Sequence, residues 1–278
     1  MNYLKTFFLM LALMAFALGV GYFVGGQTGM VVAFLFAGAS NFFMYFFSAD
    51  MVLAGNNARA VSPQEAPELY DLVGELTRKA GLPMPKLYVM EDPSPNAFAT
   101  GRNPEHAAVC VTTGILQALG RDQLMAVLGH ELTHVKNRDI LTMSVAATFA
   151  GAIMMLCNLF YLFGGRRDDR QGNPLAMLAV MLIAPLAASL IQLAISRSRE
   201  YGADEGGAAL TSPETMISAL KGIHRGIAAQ PTQVSESSAH LFIESPFSGR
   251  DISSLFMTHP PIEERIAALE ALKRGSRP

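Results

Sequence analysis

His130-Glu131-Leu132-Thr133-His134 is the stretch whose reading decides the fold. On a helix, residues four apart stand one turn above each other, so both imidazoles project from the same face. That face can hold Zn²⁺ at ordinary Zn–N distances of about 2.0–2.1 Å. Glu131 follows the first histidine and sits beside the metal's open position, where it can take a proton from an activated water. Leu124, Val127, Leu128, Leu132 and Val135 recur at helical spacing, so a helix starting near Asp122 should bury one face. An acid at that point suits a helix N-terminus.

A catalytic zinc takes three protein ligands and keeps its fourth position for water. Four further histidines are candidates: His106 in a predicted turn, His224 on a later helix, His240 in a serine-rich loop and His259 before two prolines. Glu200, in Ser196-Arg197-Ser198-Arg199-Glu200-Tyr201-Gly202-Ala203-Asp204, is the better candidate, for a reason of topology. Directly after the box, through Lys136–Asp139, the chain enters the uncharged run Ile140–Phe163 and then Pro174–Ile195, 24 and 22 residues long. A bilayer-spanning helix needs about 20 such residues. Two antiparallel spans return the chain to the side it left, which brings residue 200 back beside residue 134. Asp204, one turn beyond Glu200, could accept the free N–H of a ligating histidine. The rival reading of Glu200 is a surface ion pair with Arg197 or Lys136.

Two further apolar runs precede the box, Phe7–Val24 and Met30–Phe47. The first has Lys5 ahead of it, like a signal peptide, but a second apolar run follows almost at once instead of a polar mature start. A hairpin of two spans joined by Gly25–Gly29 is the reading adopted, with Gly21 and Gly25 as a G-x-x-x-G packing pair. Lys5, Arg59, Lys136, Arg138, Arg197 and Arg199 lie on the domain side of four spans, against Arg166, Arg167 and Arg170 on the other. The excess of positive charge assigns the polar domain to the cytoplasm. The chain then divides into an N-terminal transmembrane hairpin (1–48), a first catalytic part with the box (49–139), a second hairpin (140–195) and a second catalytic part with the third ligand (196–278).

Ser62-Pro63-Gln64-Glu65 has the form of a capping box, followed by a helix with Leu69, Leu72, Val73 and Leu76 on one face that stops near Gly81. Lys86–Met90 and the segments Asn96–Gly101 and Ala107–Thr113 are β-prone, the last two forming a hairpin or meander. One of these strands could be plain core, or an exposed edge with which an extended substrate pairs through its main chain. Ser212-Pro213-Glu214 starts a helix with Met216, Leu220 and Ile223 inward, and Ile262 to about Lys273 forms a final helix. Between them, residues 228–256 are weakly periodic and part of that stretch reads as a mobile loop or flap. A histidine or arginine near the metal, such as His259, could hydrogen-bond the oxyanion that forms during hydrolysis.

Composition agrees with a membrane protein. The 278 residues are 51 % hydrophobic and only 16 % charged, against about 25 % charged in soluble domains. A net charge of −2 gives no reason to invoke nucleic acid. Two cysteines, Cys110 and Cys157, make no disulfide framework.

The box, Glu200-x-x-x-Asp204, the spans before and between them, Asn96–Gly101, Ala126-Val127-Leu128-Gly129, Arg199–Asp204, and Thr258–Pro261 with Arg265 together resemble the HtpX family of membrane-bound zinc metalloproteases. These are relatives of the CAAX prenyl endopeptidases within the gluzincin group. The resemblance implies a mainly α fold with a small β-sheet, in which four transmembrane helices carry a gluzincin-like zinc metalloprotease domain at the cytoplasmic membrane surface. It implies one Zn²⁺ per chain held by His130, His134 and Glu200, with Glu131 as general base. By similarity His259 and Arg265 would be transition-state or substrate contacts, and Asn96, Ala97, Phe98 and Ala99 the substrate-pairing strand. The expected activity is endoproteolysis of misfolded membrane proteins in the bacterial inner membrane, in stress-linked quality control with self-cleavage. Two rival readings stay open. An intramembrane protease would need the box within a span, whereas Arg121, Asp122, Lys136, Arg138 and Asp139 flank it. A non-catalytic scaffold would close a structural zinc with four Cys or His ligands, and no Cys pair lies near the box.

Overall fold

The computed structural model of the chain describes residues 2–146, 148, 197–230, 243 and 260–275. Most of the runs 140–163 and 174–195, Cys157, His240 and His259 lie outside the described residues, as does nearly all of the 231–259 segment.

The first helix, α1 (Asn2–Gly55), is interrupted at Gly25 and Gly26, the latter at φ 57°, ψ −142°. A backbone at positive φ is open to glycine at little steric cost. Asn41 Nδ2 donates to Met10 O at 3.3 Å across the interruption. Residues 10 and 41 flank the glycine pair symmetrically, so the two arms lie side by side as a hairpin. The expected joint over Gly25–Gly29 is thus only two residues long, and the chain is helical again by Gln27. The second arm, Gly25–Gly55, is long and apolar enough to cross a membrane. Phe34, Phe36, Phe42 and Phe43 are exposed along it, as contact with lipid requires.

At its far end the arm meets a β-sheet. Val52 and Leu53 pack against Met90, Phe98, Cys110 and Met143, and the Arg102 guanidinium stands 5.2 Å over the Phe46 ring. The sheet they meet has four strands, β1 (Arg59–Ala60), β2 (Lys86–Met90), β3 (Ala97–Gly101) and β4 (Ala107–Thr112), in the order β1-β2-β4-β3. β3 and β4 pair antiparallel, with Ala97 opposite Val111 and Gly101 opposite Ala107, so the expected hairpin is present. β2 pairs parallel with β4, which makes the sheet mixed and not a meander. Alternation along the strands splits the side chains between two faces. Phe98, Ala108 and Cys110 face α1, while Ala97, Ala99, Val109 and Val111 join the main core.

The capping-box residues do bond reciprocally, Ser62 N to Glu65 Oε2 at 2.8 Å and Glu65 N to Ser62 Oγ at 3.4 Å. They close a turn and not the helix. α2 (Pro67–Ala80) begins only after Ala66, whose backbone is non-helical because a residue before proline is pushed out of the helical region. Gly81 at φ 68° ends it. A short α3 (Thr113–Ala118) leads to α4 (Arg121–Lys136), in which every residue from Leu124 to Val135 is buried. The expectation of one buried face is corrected here: α4 is the central helix, enclosed by α2, β3, α5 (Arg197–Leu210) and α6 (Pro213–Ala229). Ser212 caps α6 by accepting from Thr215 N at 3.1 Å. α7 (Ile262–Lys273) packs on α5 and α6 with Leu269 buried.

Candidate metal centre

The box lies on α4 and Glu200 on the first turn of α5. Glycine lets these two helices approach closely. A Cβ on Gly207 would stand 3.0 Å from Ala126 O and His130 N, and one on Gly129 would stand 3.3 Å from Gly207 Cα. Two helix backbones in contact place the side chain of residue 200 directly across from those of residues 130 and 134.

His130, His134 and Glu200 are 1 %, 3 % and 2 % exposed, and one ligand atom from each lies within 4.8 Å of the others. His134 Nε2 is 3.5 Å from Glu200 Oε1 and His130 Nε2 is 3.8 Å from Glu200 Oε2. Both separations are too long for a hydrogen bond. They suit ligands of a shared ion: two atoms each about 2.0–2.1 Å from a tetrahedral centre stand about 3.3–3.4 Å apart. Two imidazole nitrogens and one carboxylate, all buried and converging, fit a zinc-type cation. The surface ion pair offered as a rival for Glu200 is excluded by its burial, since Lys136 and Arg197 are both exposed.

Each imidazole turns its other nitrogen to an aspartate, which leaves Nε2 for the ion. His130 Nδ1 is 2.9 Å from Asp204 Oδ1, in a contact bent away from the ring N–H direction. His134 Nδ1 donates to Asp139 Oδ2 at 3.0 Å. Asp204 stands where the sequence suggested; Asp139 was not anticipated. Arg265 donates through Nε to Asp204 Oδ2 at 2.8 Å and through Nη2 to Asp204 Oδ1 at 2.6 Å, and its Nη1 donates to Ile243 O. Arg265, which the resemblance places among the substrate or transition-state contacts, has its side chain 1 % exposed.

Burial is the largest influence on His130, Glu131, His134 and Asp204. It pushes the Glu131 carboxyl up to about 8, against the lowering effect of His134 and of a hydrogen bond from Ala99 N–H. Burial alone would lower His134, but the Asp139 hydrogen bond and the Glu200 and Glu131 carboxylates carry it up to about 9. His130 has less help and burial leaves it below its usual value. Burial opposes the Asp204 charge too, yet the Arg265 guanidinium holds that carboxyl below the carboxylate range.

β3 is the edge of its sheet beside α4, as one sequence reading had it, but the edge is not exposed. Ala97, Phe98, Ala99 and Thr100 are at most 2 % accessible. Ile243 N donates to Asn96 Oδ1 at 3.1 Å at one end, and Thr100 Oγ1 and Ser144 Oγ are 2.6 Å apart at the other. His106 and His224 are exposed and belong to no metal-binding group among the described residues.

The features that sequence reasoning missed are Asp139, Gly129 and the Gly206-Gly207 pair. Two adjacent glycines inside a helical pattern were the available signal, since glycine there usually has a packing reason.

The fold and the trio define a peptidase with a buried metal-binding centre, and comparison with known proteins gives its family. Peptidase family M48 matches residues 63–273. The chain belongs to peptidase family M48 and is a membrane metallopeptidase. It is 50 % identical to the Protease HtpX homolog of Ralstonia nicotianae over 96 % of each chain. It is 48 % identical to that of Burkholderia cenocepacia over 99 % of each. Among solved structures it resembles the crystal structure of S. mikatae Ste24p, with a TM-score of 0.51 and 20 % identity. That alignment covers 97 % of this chain and 65 % of the other, and it bears on the fold alone.

Proposed function

We propose that the chain is an HtpX-type zinc endopeptidase that cleaves membrane proteins at the cytoplasmic face of a bacterial inner membrane. The observation that carries this reading is the convergence of His130 Nε2, His134 Nε2 and the Glu200 carboxylate with Glu131 on the same buried helix. A zinc ion held by the three would act as a Lewis acid on a scissile carbonyl and bring the pKa of a water to about 7.

The remaining work belongs to the chain's own groups. Glu131 accepts the proton of the attacking water and returns it to the leaving amine. Its carboxylate is held by Ala99 N–H, which ties the base to the strand beside which substrate would lie. Asp139 fixes the tautomer and tilt of the His134 ring by its hydrogen bond, and the Asp204 charge beside His130 Nδ1 favours the N–H there. Arg265 secures Asp204 and neutralises it, and its expected place among the substrate or transition-state contacts stays part of this reading. His259, with a place among the substrate contacts by similarity, stays part of this reading, as does pairing of substrate with residues 96–99 once that edge is uncovered.

The same reading keeps four spans and the division at 1–48, 49–139, 140–195 and 196–278. The charge count of the loops and the α1 hairpin support it. A periplasmic reporter fused after residue 278 should be silent and a cytoplasmic one active; the reverse pattern would overturn the orientation. The test of function is purified Glu131→Gln protein beside the native chain on a casein-type substrate. Zinc content should match while cleavage falls at least about 100-fold. Full activity in the zinc-loaded variant would sink the assignment of the base.

A further inference from the structure

α4 ends in a turn that a glycine would normally make. Arg138 N bonds to Val135 O at 3.1 Å and Asp139 N to His134 O at 2.9 Å, the paired bonds of a Schellman motif. The residue that must be left-handed in that motif is Arg138, at φ 61°. A non-glycine residue there carries strain, which persists only where the surroundings demand that backbone. Its consequence is that the chain folds back over the last turn of α4, and Asp139, fully buried, puts Oδ2 on His134 Nδ1 at 3.0 Å.

The other oxygen of Asp139 faces Arg199 Nη1 at 3.7 Å, from a side chain only 11 % exposed. Among the described residues neither Nη1 nor Nη2 of Arg199 has a hydrogen-bond partner, so the guanidinium meets Asp139 as a charge and not through aligned N–H groups. Asp139 ends the segment ahead of the apolar run that starts at Ile140, and Arg199 follows soon after the run that ends at Ile195. The pair therefore joins two residues that border the apolar runs on either side of the segment between them. With His130, Asp204 and Arg265 it completes a pattern in which each candidate ligand histidine is backed by an aspartate and each aspartate by an arginine.

We propose that Asp139 and Arg199 are positioning residues for His134, holding its ring so that Nε2 stays aimed at the metal position. The inference rests on the metal-centre reading above. Loss of an outer partner of a ligating histidine weakens metal binding about 10–100-fold.

The experiment measures zinc dissociation constants, by chelator competition, for the full chain in detergent micelles, together with the visible bands of the cobalt-substituted protein. Asp139→Asn keeps the volume and should weaken zinc binding by about tenfold or more, with altered cobalt bands and a metal-free melting temperature close to native. Arg199→Ala should act in the same direction by less, and Arg199→Lys, which keeps the charge, should recover most of the loss. If Asp139→Ala leaves Arg199 as an unpaired buried charge and fails to fold, the double variant Asp139→Ala/Arg199→Ala removes that charge. Zinc affinity within twofold of native and unchanged cobalt bands in folded Asp139→Asn and the double variant would overturn the proposal. A native chain that binds no zinc while His134→Ala behaves identically would instead overturn the metal reading beneath it.

Discussion

Gly206 of α5 lies so close over Thr133 of α4 that a Cβ at position 206 would stand 2.3 Å from Thr133 Oγ1 and 2.9 Å from its Cβ. Thr133 cannot swing aside freely: its hydroxyl is bonded to Gly129 O at 2.8 Å in a buried helix. Gly206→Ala should therefore spread the helix pair and carry Glu200 away from the imidazoles. Overpacking of this kind costs about 1–3 kcal/mol. Thermal melting and zinc content should fall together, and an alanine variant with native zinc affinity would show that the crossing tolerates the methyl group.

Removing the Glu200 carboxylate leaves two imidazoles alone. Glu200→Ala should purify with little zinc, and because binding stabilises by mass action, it should also lose the rise in melting temperature that zinc gives the native chain. Native zinc stoichiometry in this variant would place the third ligand elsewhere.

Arg265 and Asp204 form a two-bond pair that is nearly inaccessible to water. Truncating one partner of such a pair strands the other charge and costs about 3–5 kcal/mol. Arg265→Leu should unfold at lower denaturant or temperature than Arg59→Ala, whose pair with Glu65 is exposed and screened by water. Equal stability of the two variants would count against the buried pair as a structural anchor of the centre.

Acid should compete with metal. In the metal-free chain the raised His134 value, about 9, means that its proton is bound at neutral pH and lost only as pH rises through that value. Ligation requires the bare nitrogen. Zinc uptake at neutral pH should thus release protons, and apparent affinity should climb as pH rises toward about 9. Calorimetry in two buffers of different ionisation enthalpy reads the released protons directly; identical heats in both would refute the prediction.

Local pattern made a large part of this protein legible. The spacing of His130 and His134 needs only helix geometry, and the apolar positions of α2 and α6 and the bounds of α7 follow from periodicity and caps. Even the distant Glu200 could be inferred, because the runs at 140–163 and 174–195 imply a chain that goes out and comes back.

What the sequence could not supply depends on contacts between elements remote along the chain. Nothing local says that α4 is enclosed on all sides, that β3 is a buried edge, or that Arg265 bonds to Asp204 and Ile243. Asp139 sits only five residues past His134, yet its role requires the left-handed turn at Arg138 to fold it back. The sequence determined which side chains could share a metal, because their spacing is a property of one helix and of one excursion. The tertiary structure decided how they are held, because close packing of α4 against α5 through glycine sets distances that no periodicity encodes.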